Sequence, residues 1–171
     1  MASIKQKKGT EVLGHSRIQT IVERLAHEIY EHHHSANEFI LIGISGRGID
    51  LRDRIGVFLS SLTKAKILKG ECYVNKLKPM SEPIELDIPL ETLKGRVVIL
   101  VDDVLNSGRT LVHAMSYLIT ADPTYLRTVV LVDRIHRNFP IRADYVGLSL
   151  STTIQERVEV EFGKEDYAYL V

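Results

Sequence analysis

Residues 97–110 constrain the fold of this chain more tightly than any other stretch of its sequence. They begin with an apolar run at 97–101, whose length and β-branched content are typical of a buried parallel strand. Two acids, Asp102 and Asp103, follow this run, and a short polar turn occupies residues 106–110. Beyond the turn, apolar residues recur at helical spacing, at Leu111, Ala114, Met115 and Leu118. The stretch predicts a strand, a polar turn and a helix in succession.

This arrangement has the outline of a ribose-phosphate site. Backbone N–H groups and the dipole at a helix N-terminus hold phosphate, and carboxylates accept hydrogen bonds from the 2′ and 3′ hydroxyls of ribose. The alternative is that Asp102 and Asp103 only end a buried strand and cap the next helix. Capping requires neither paired acids nor the Ser-Gly-Arg-Thr sequence of residues 107–110, so we favour the ligand site.

The bulk composition limits the class of protein. At 171 residues we expect a single domain over 1–171, with a flexible tail at 1–14. Lys plus Arg and Asp plus Glu number 22 each, so the molecule as a whole does not attract nucleic acid. The single cysteine, Cys72, is typical of a reducing cytoplasm. No apolar stretch reaches the ~18 residues of a membrane span, so we expect a cytoplasmic protein without a membrane partner.

The rest of the chain alternates between helical and strand patterns. Apolar residues repeat at helical spacing over 18–29 and 51–62, while 39–44 and 128–132 are apolar runs typical of buried strands. Residues 158–171 predict a hairpin with its turn at 163–166. Residues 63–95 are ambiguous, with two or three short strands, and His32, His33 and His34 predict a solvated helix end. This alternation predicts an α/β fold with a mainly parallel central sheet flanked by helices.

Two further segments are candidates for the same sheet edge, because ligands bind beyond the carboxyl ends of parallel strands. The first is the loop 45–48, where glycine allows close backbone approach and Arg47 offers a fork of donors to pyrophosphate. The second is 132–134, where backbone groups can contact a nucleobase. Arg134 either adds a charge-assisted contact to the base or forms a surface ion pair, and the sequence leaves both open.

The 97–110 segment resembles the signature of type I phosphoribosyltransferases, which bind phosphoribosyl pyrophosphate (PRPP). Further stretches at 24–29, 41–44, 47–49, 131–134, 136–137 and 140–147 make the chain similar to bifunctional pyrimidine-operon attenuation regulators and uracil phosphoribosyltransferases, over roughly residues 18–171. The resemblance implies a type I phosphoribosyltransferase fold with a small hood and a C-terminal β-hairpin. It also implies a homodimer or higher homo-oligomer that forms UMP and pyrophosphate from uracil and PRPP, with Mg²⁺ as cofactor.

The resemblance and the chemistry of the three loops together assign residues to this reaction. Asp102, Asp103 and Arg47 are the expected catalytic residues, with Mg²⁺ held through PRPP and with Asp102 and Asp103 as its candidate protein ligands. The expected substrate-binding residues are Ser45, Gly46, Arg47, Gly48, Asp102, Asp103, Val104, Leu105, Asn106, Ser107, Gly108, Arg109, Thr110, Val132, Asp133, Arg134 and Val158.

The chain departs from the family pattern at two places. The loop within residues 70–89 is shorter than the family's lid and lacks its Tyr-Arg-Asp-Asp run, so Lys76 and Lys78 are the candidate lid cations. Asn106 stands where the family usually has tyrosine and where 6-oxopurine enzymes have an aspartate general base. Because an amide cannot act as that base, Asn106 argues against a hypoxanthine–guanine enzyme.

Two other functions stay open. The first is a regulator that senses UMP or PRPP and binds RNA through the first helix, where Arg24 and His27 match the family. The zero net charge and the nearby Glu23 disfavour RNA as a partner. The second is a phosphoribosyltransferase for another base, because backbone groups do much of the base recognition.

Overall fold

The computed structural model of the protein describes residues 9–171. Strands and helices alternate as the sequence predicts, in the order β1 (Thr10–Leu13), α1 (His15–His32), β2 (Glu38–Ile44), α2 (Arg47–Leu62), β3 (Lys66–Tyr73), β4 (Glu85–Leu86), β5 (Val97–Leu105), α3 (Arg109–Leu118), β6 (Tyr125–Arg134), β7 (Tyr145–Leu150), β8 (Val158–Glu161) and β9 (Tyr167–Leu170). Short 3₁₀ turns lie at Leu90–Leu93 and Ile119–Ala121. Within the described range, no helix is long and apolar enough to cross a membrane.

The main sheet has six strands in the order β4-β3-β2-β5-β6-β7. Every pair from β3 to β7 is parallel, and only the short β4 runs antiparallel to its neighbour. The prediction of a mainly parallel sheet is confirmed. Because β2 and β5 are central neighbours, the loops that follow them emerge side by side.

Helices cover both faces of this sheet, because successive residues of a strand point to opposite sides. On one face, Phe39, Leu41, Ile99 and Val101 pack with the apolar residues of α1 and α2. On the other face, Ile40, Ile42, Val98 and Leu100 pack with the apolar residues of α3. Both faces of the central strands are therefore buried, which explains their continuous apolar runs.

A second, antiparallel sheet has the order β1-β9-β8 and contains the predicted C-terminal hairpin. Its third strand is β1, so the expectation of a flexible tail at 1–14 is wrong for residues 10–13. Thr10 pairs with Leu170, and Leu13 is 1% exposed in the core, so residues 10–13 are an ordered strand. The remainder of that prediction, residues 1–8, lies outside the described residues.

Two other expectations need correction. Strand β5 does not end before the acid pair, because β6 supplies partners as far as Asp102↔Val130 and Leu105↔Asp133. The helix end at His32–His34 is not fully solvated, because the ring of His33 packs 4.9 Å from that of Tyr125 and the residue is 5% exposed. Strand β7 had no counterpart in the predicted elements.

Candidate active site

The loops after β2 and β5 meet at the carboxyl edge of the main sheet. The two strands run parallel, with Ile42 opposite Leu100 and Gly43 opposite Val101. Between the loops lies a cleft of about 300 Å³. It is lined by Arg47, Lys76, Asp102, Asp103, Val104, Leu105, Asn106, Ser107, Gly108, Arg109, Thr110, Leu111 and Val158.

The cleft brings together most of the residues that the sequence analysis assigns to one site. Arg47, the whole segment 102–110 and Val158 come from three different parts of the chain. Lys76, expected on the lid, reaches the same cleft. Ser45 lies instead in a neighbouring cavity of about 370 Å³ beside Asn75 and Glu82. The cleft is open enough, and polar enough in its lining, to take a phosphorylated sugar.

The acid pair is the most strongly perturbed part of the cleft. Asp102 is 5% exposed and Asp103 is 8% exposed. Asp102 Oδ1 accepts a hydrogen bond from the Asp103 backbone N–H at 3.0 Å and lies 3.4 Å from Lys76 Nζ. Burial, reinforced by the adjacent Asp103 carboxylate, raises the pKa of Asp102 to about 7, although Lys76 opposes the rise. A further cation, or hydroxyl groups that donate hydrogen bonds, would stabilise the charged form of this buried carboxylate pair.

A glycine shapes the 107–110 loop. Gly108 has a φ of +86° and is the N-cap residue of α3, so the first N–H groups of that helix are directed at the cleft. A Cβ on Gly108 would lie 2.6 Å from Ile141 Cγ2, which excludes any larger residue without rearrangement. The N–H groups of Asn138 and Phe139 donate to the Ser107 carbonyl at 3.0 and 3.1 Å. The connection between β6 and β7 therefore braces the loop from outside.

The 45–48 loop is held close to the end of β5. The Ser45 N–H donates to the Cys72 carbonyl of β3 at 2.9 Å. Gly46, with a φ of +95°, precedes the helix, and a Cβ on Gly48 would lie 2.7 Å from the Val101 carbonyl oxygen. Helix α2 therefore starts against the backbone of the signature strand, and its first residue, Arg47, is exposed to the cleft.

The residues of the third segment, 132–134, are not among those that line the cleft. The Val132 side chain is fully buried, and the Asp133 carboxylate pairs with Arg137. Arg134 is 9% exposed and, among residues 9–171, forms no ion pair, so the surface ion pair considered above is wrong. Its contact with a base remains a prediction. The guanidinium instead bonds to Asn106, Thr152 and Thr153, and no local sequence pattern indicated the last two partners.

These features define a class of protein, the phosphoribosyltransferases. The phosphoribosyl transferase domain family matches residues 8–163, and the chain belongs to it. The fold is that of solved structures of the class. The chain superposes on a hypoxanthine-guanine phosphoribosyltransferase of Bacillus anthracis with a TM-score of 0.72 at 20% identity, covering 85% of this chain and 84% of the other. The hypoxanthine phosphoribosyltransferase of Trypanosoma cruzi gives 0.75 at 20% identity, with 87% and 84% covered.

Within the class, the relatives named bifunctional protein PyrR are much more similar in sequence. The chain is 37% identical to that of Streptomyces coelicolor over 169 residues, covering 95% of this chain and 88% of the relative. It is 39% identical to that of Deinococcus radiodurans over 163 residues, covering 91% and 88%. The chain thus belongs to the PyrR family, as the resemblance implied.

Proposed function

We propose that this protein transfers the 5-phosphoribosyl group of PRPP to uracil, giving UMP and pyrophosphate. The observation that carries the proposal is the meeting of Asp102 and Asp103 with the 107–110 loop and Arg47 in one cleft. Membership of the PyrR family supports uracil as the base. The Asn106 amide, which cannot act as a general base, favours a pyrimidine over a 6-oxopurine.

The proposed reaction relies on positioning and charge stabilisation. Asp102 and Asp103 accept hydrogen bonds from the ribose hydroxyls, and the 107–110 loop binds the 5′-phosphate. The bond between C1′ and the pyrophosphate oxygen breaks first, with the electron pair leaving on pyrophosphate, which Arg47 contacts. Uracil N1 then bonds to C1′, and the N1 proton passes to the departing pyrophosphate.

The donors present in the cleft fit a divalent cation that PRPP brings with it. Carboxylate oxygens are the ligands that Mg²⁺ prefers. Burial raises the pKa of Asp102 to about 7 although Lys76 lies 3.4 Å away, so a further cation would stabilise the charged form of the pair. Residues 9–171 hold no cluster of three or more His, Cys, Asp or Glu side chains suited to a metal. Asp102 and Asp103 would therefore share Mg²⁺ with phosphate and ribose oxygens. When bound, the ion would neutralise charge on the leaving pyrophosphate.

RNA-linked regulation is the second candidate, because the relatives carry the name bifunctional. On α1, Arg17, Thr20 and Arg24 border a depression of about 510 Å³ that also includes Leu148 of β7. Arg24, however, donates to the Val146 and Gly147 carbonyls at 3.1 and 2.7 Å and pairs with Glu28. Its guanidinium is thus engaged within the protein, which favours catalysis as the first function. We also propose that the protein forms a homo-oligomer and is located in the cytoplasm.

A nucleotide-formation screen tests the proposed function. Purified protein is incubated with PRPP and MgCl₂ and, separately, with uracil, hypoxanthine, guanine, xanthine or adenine, and products are resolved by chromatography. We expect UMP as the main product, with pyrophosphate released in equal amount. Formation of a purine nucleotide instead would reassign the base. Tight UMP binding without turnover on any base would favour the regulator.

A further inference from the structure

The guanidinium group of Arg134 is fixed by three hydrogen bonds that use three different nitrogens. Nε donates to Thr152 Oγ1 at 2.9 Å, Nη2 donates to the Thr153 carbonyl at 3.2 Å, and Nη1 donates to Asn106 Oδ1 at 3.1 Å. The group is 9% exposed, so this geometry is held by packing as well. Arg134 thereby joins strand β6, the segment before β8 and the first residue after β5.

These contacts decide which way the Asn106 amide faces. A guanidinium only donates hydrogen bonds, so the Asn106 atom that meets it must be the carbonyl oxygen. The Nδ2 group then points away from Arg134. Asn106 is exposed and lines the cleft, and within residues 9–171 its Nδ2 donates to no protein group. The structure therefore presents an oriented N–H donor to the ligand.

The place of Asn106 in the site indicates that its Nδ2 donor meets the nucleobase. Asn106 lies between the ribose-binding acids at 102–103 and the phosphate loop at 107–110, while its partner Arg134 lies on the strand next to β5. We infer that Asn106 Nδ2 donates a hydrogen bond to the carbonyl oxygen beside the ribosylated nitrogen of the pyrimidine, O2 of uracil, and that Arg134 is the positioning residue for this donor. This inference rests on the proposed function and specifies how the site selects its base.

The chemistry of uracil explains why a donor suits this position. As the N1–H bond weakens, negative charge spreads from N1 to O2, and a hydrogen bond to O2 stabilises that charge. The buried positive charge of Arg134 polarises the amide in the same direction. An aspartate at position 106 would present only acceptors and would repel this charge. Asn106 thus favours a base with a carbonyl beside its nucleophilic nitrogen.

The test combines altered bases with altered residues. Initial rates with uracil, 2-thiouracil and 4-thiouracil are compared for the unmodified protein, N106D and N106A, with PRPP saturating. Sulfur is a weak hydrogen-bond acceptor, so replacing uracil by 2-thiouracil should lower kcat/KM in the unmodified protein. We expect this loss to be about five- to tenfold larger than the loss that the same change of base causes in N106D and N106A. The 4-thiouracil effect should be equal in all three proteins. With uracil itself, N106D should lose about ten- to a hundredfold in kcat/KM while its affinity for PRPP is retained.

Arg134 is tested by the same comparison. R134M should abolish the part of the 2-thiouracil effect on kcat/KM that depends on Asn106, and R134K should retain some of it. R17M, at an exposed arginine of α1, should leave this effect unchanged. A merely structural arginine would change rates for both bases equally. If a variant is too slow for kinetics, affinities for UMP and 2-thio-UMP provide the same comparison.

The outcomes separate this inference from the proposed function. If the unmodified protein makes UMP but the 2-thio effect is the same in the Asn106 variants, the inference is wrong and the proposed function stands. If the unmodified protein makes no UMP from uracil, both are wrong. A 4-thio effect that depends on Asn106 would also overturn the inference, because the amide would then contact O4.

Discussion

The ammonium group of Lys76 lies 3.4 Å from Asp102 Oδ1 and joins the loop after β3 to the acid pair at the end of β5. The side chain of Lys76 is 43% exposed and that of Asp102 is 8% exposed, so a cation at the surface partly compensates a buried carboxylate. Mg²⁺ and ribose hydroxyls would compete for the same oxygen. We therefore expect Lys76 to move from Asp102 to the pyrophosphate when PRPP binds.

Replacing both loop lysines tests this movement. K76A/K78A should lower kcat more than it weakens UMP binding, because UMP has no pyrophosphate for an ammonium group to contact. The measurements are initial rates with uracil and UMP affinity by calorimetry. We also expect the unmodified protein to be a weak catalyst, since a lysine lacks the bidentate fork of arginine and the lid is short.

The single variants serve as matched controls. Lys78 is exposed and, among the described residues, its ammonium group forms no ion pair, whereas Lys76 contacts Asp102. K76A should account for most of the loss of turnover, and K78A should change it less than twofold. Equal losses of turnover and UMP affinity would make the loop a binding surface only. No loss in either would make it an ordinary connection.

Neutralising the acid pair should separate ligand binding from folding. D102N/D103N should weaken PRPP binding and abolish turnover, because amides provide neither the charge nor the full acceptor set for ribose hydroxyls and Mg²⁺. The fold should survive, since neither acid takes part in an internal ion-pair network beyond Lys76 in the described chain. A melting temperature tens of degrees lower, or unchanged PRPP affinity, would show that the pair is structural.

The raised pKa of Asp102 also predicts a pH dependence of stability. Its native pKa of about 7 exceeds the ordinary value near 4, so between pH 4 and 7 the native state binds more protons than the unfolded state. The contribution of Asp102 to stability should therefore fall as pH rises through this window. D102N removes the titration and should melt several degrees above the unmodified protein at pH 8, and this difference should shrink as pH falls and be gone by pH 4. D103N is the matched comparison, and a larger advantage at pH 4 than at pH 8 would contradict the assignment.

Turnover should depend on a divalent cation. Chelation with EDTA should abolish UMP formation, and added Mg²⁺ or Mn²⁺ should restore it, because the leaving pyrophosphate carries charge that the protein's own Arg47 and Lys76 only partly compensate. In parallel, Mg²⁺ should increase the thermal shift produced by PRPP and leave that of UMP nearly unchanged. Full turnover in EDTA would rule out this arrangement.

Much of the site follows from local patterns in the sequence. The 97–110 segment predicted a strand, a polar turn after an acid pair and a helix because each part has its own residue chemistry, and the parallel β2–β5 pairing brings Arg47 to the same cleft. The end of β5 was misplaced, because polarity suggested a stop at Asp102 whereas the partner strand β6 continues past it. A strand's length is set by its neighbour, which local patterns do not contain.

Local sequence patterns could not predict contacts between segments that are far apart in the chain. Arg134 bonds to Thr152 and Thr153 only because β6 and the segment before β8 converge in space. The same holds for β1, whose four residues gain their order from β9 at the other end of the chain. His33 was expected in solvent because three adjacent histidines cannot share one helix face as a metal site, but Tyr125 and Tyr145 contact it.

The buried imidazole of His33 should contribute to acid sensitivity. Burial lowers the pKa of His33, with Arg127 and His32 adding to the effect and Asp144 opposing it. Because the unfolded value is near 6.5, the unfolded state binds more protons below that pH, so the contribution of His33 to stability should fall on acidification, opposite in sign to that of Asp102. H33F keeps a ring beside Tyr125, so between pH 7.5 and 5 its melting temperature should change more favourably than that of the unmodified protein. H34F, at an exposed position, should follow the unmodified protein. Equal behaviour of the two variants would refute the assignment.

Asp166 holds the turn of the C-terminal hairpin against two helices, and its removal should be the most destabilising of these changes. Its carboxylate, in a residue 1% exposed, accepts two bonds from Arg54 at 2.9 and 2.7 Å and one from Gln19 of α1 at 2.8 Å. D166A leaves these donors unpaired and should lower the free energy of unfolding by about 3 kcal/mol. D166N keeps the shape and should cost less. The matched control is E165A in the same turn. Within the described chain, the exposed Glu165 carboxylate accepts a hydrogen bond only from Tyr167. We therefore expect E165A to lower the free energy of unfolding by about 0.5 kcal/mol or less. Urea unfolding measures all three variants. A D166A loss no larger than that of E165A would mean that the hairpin is held by its apolar residues alone.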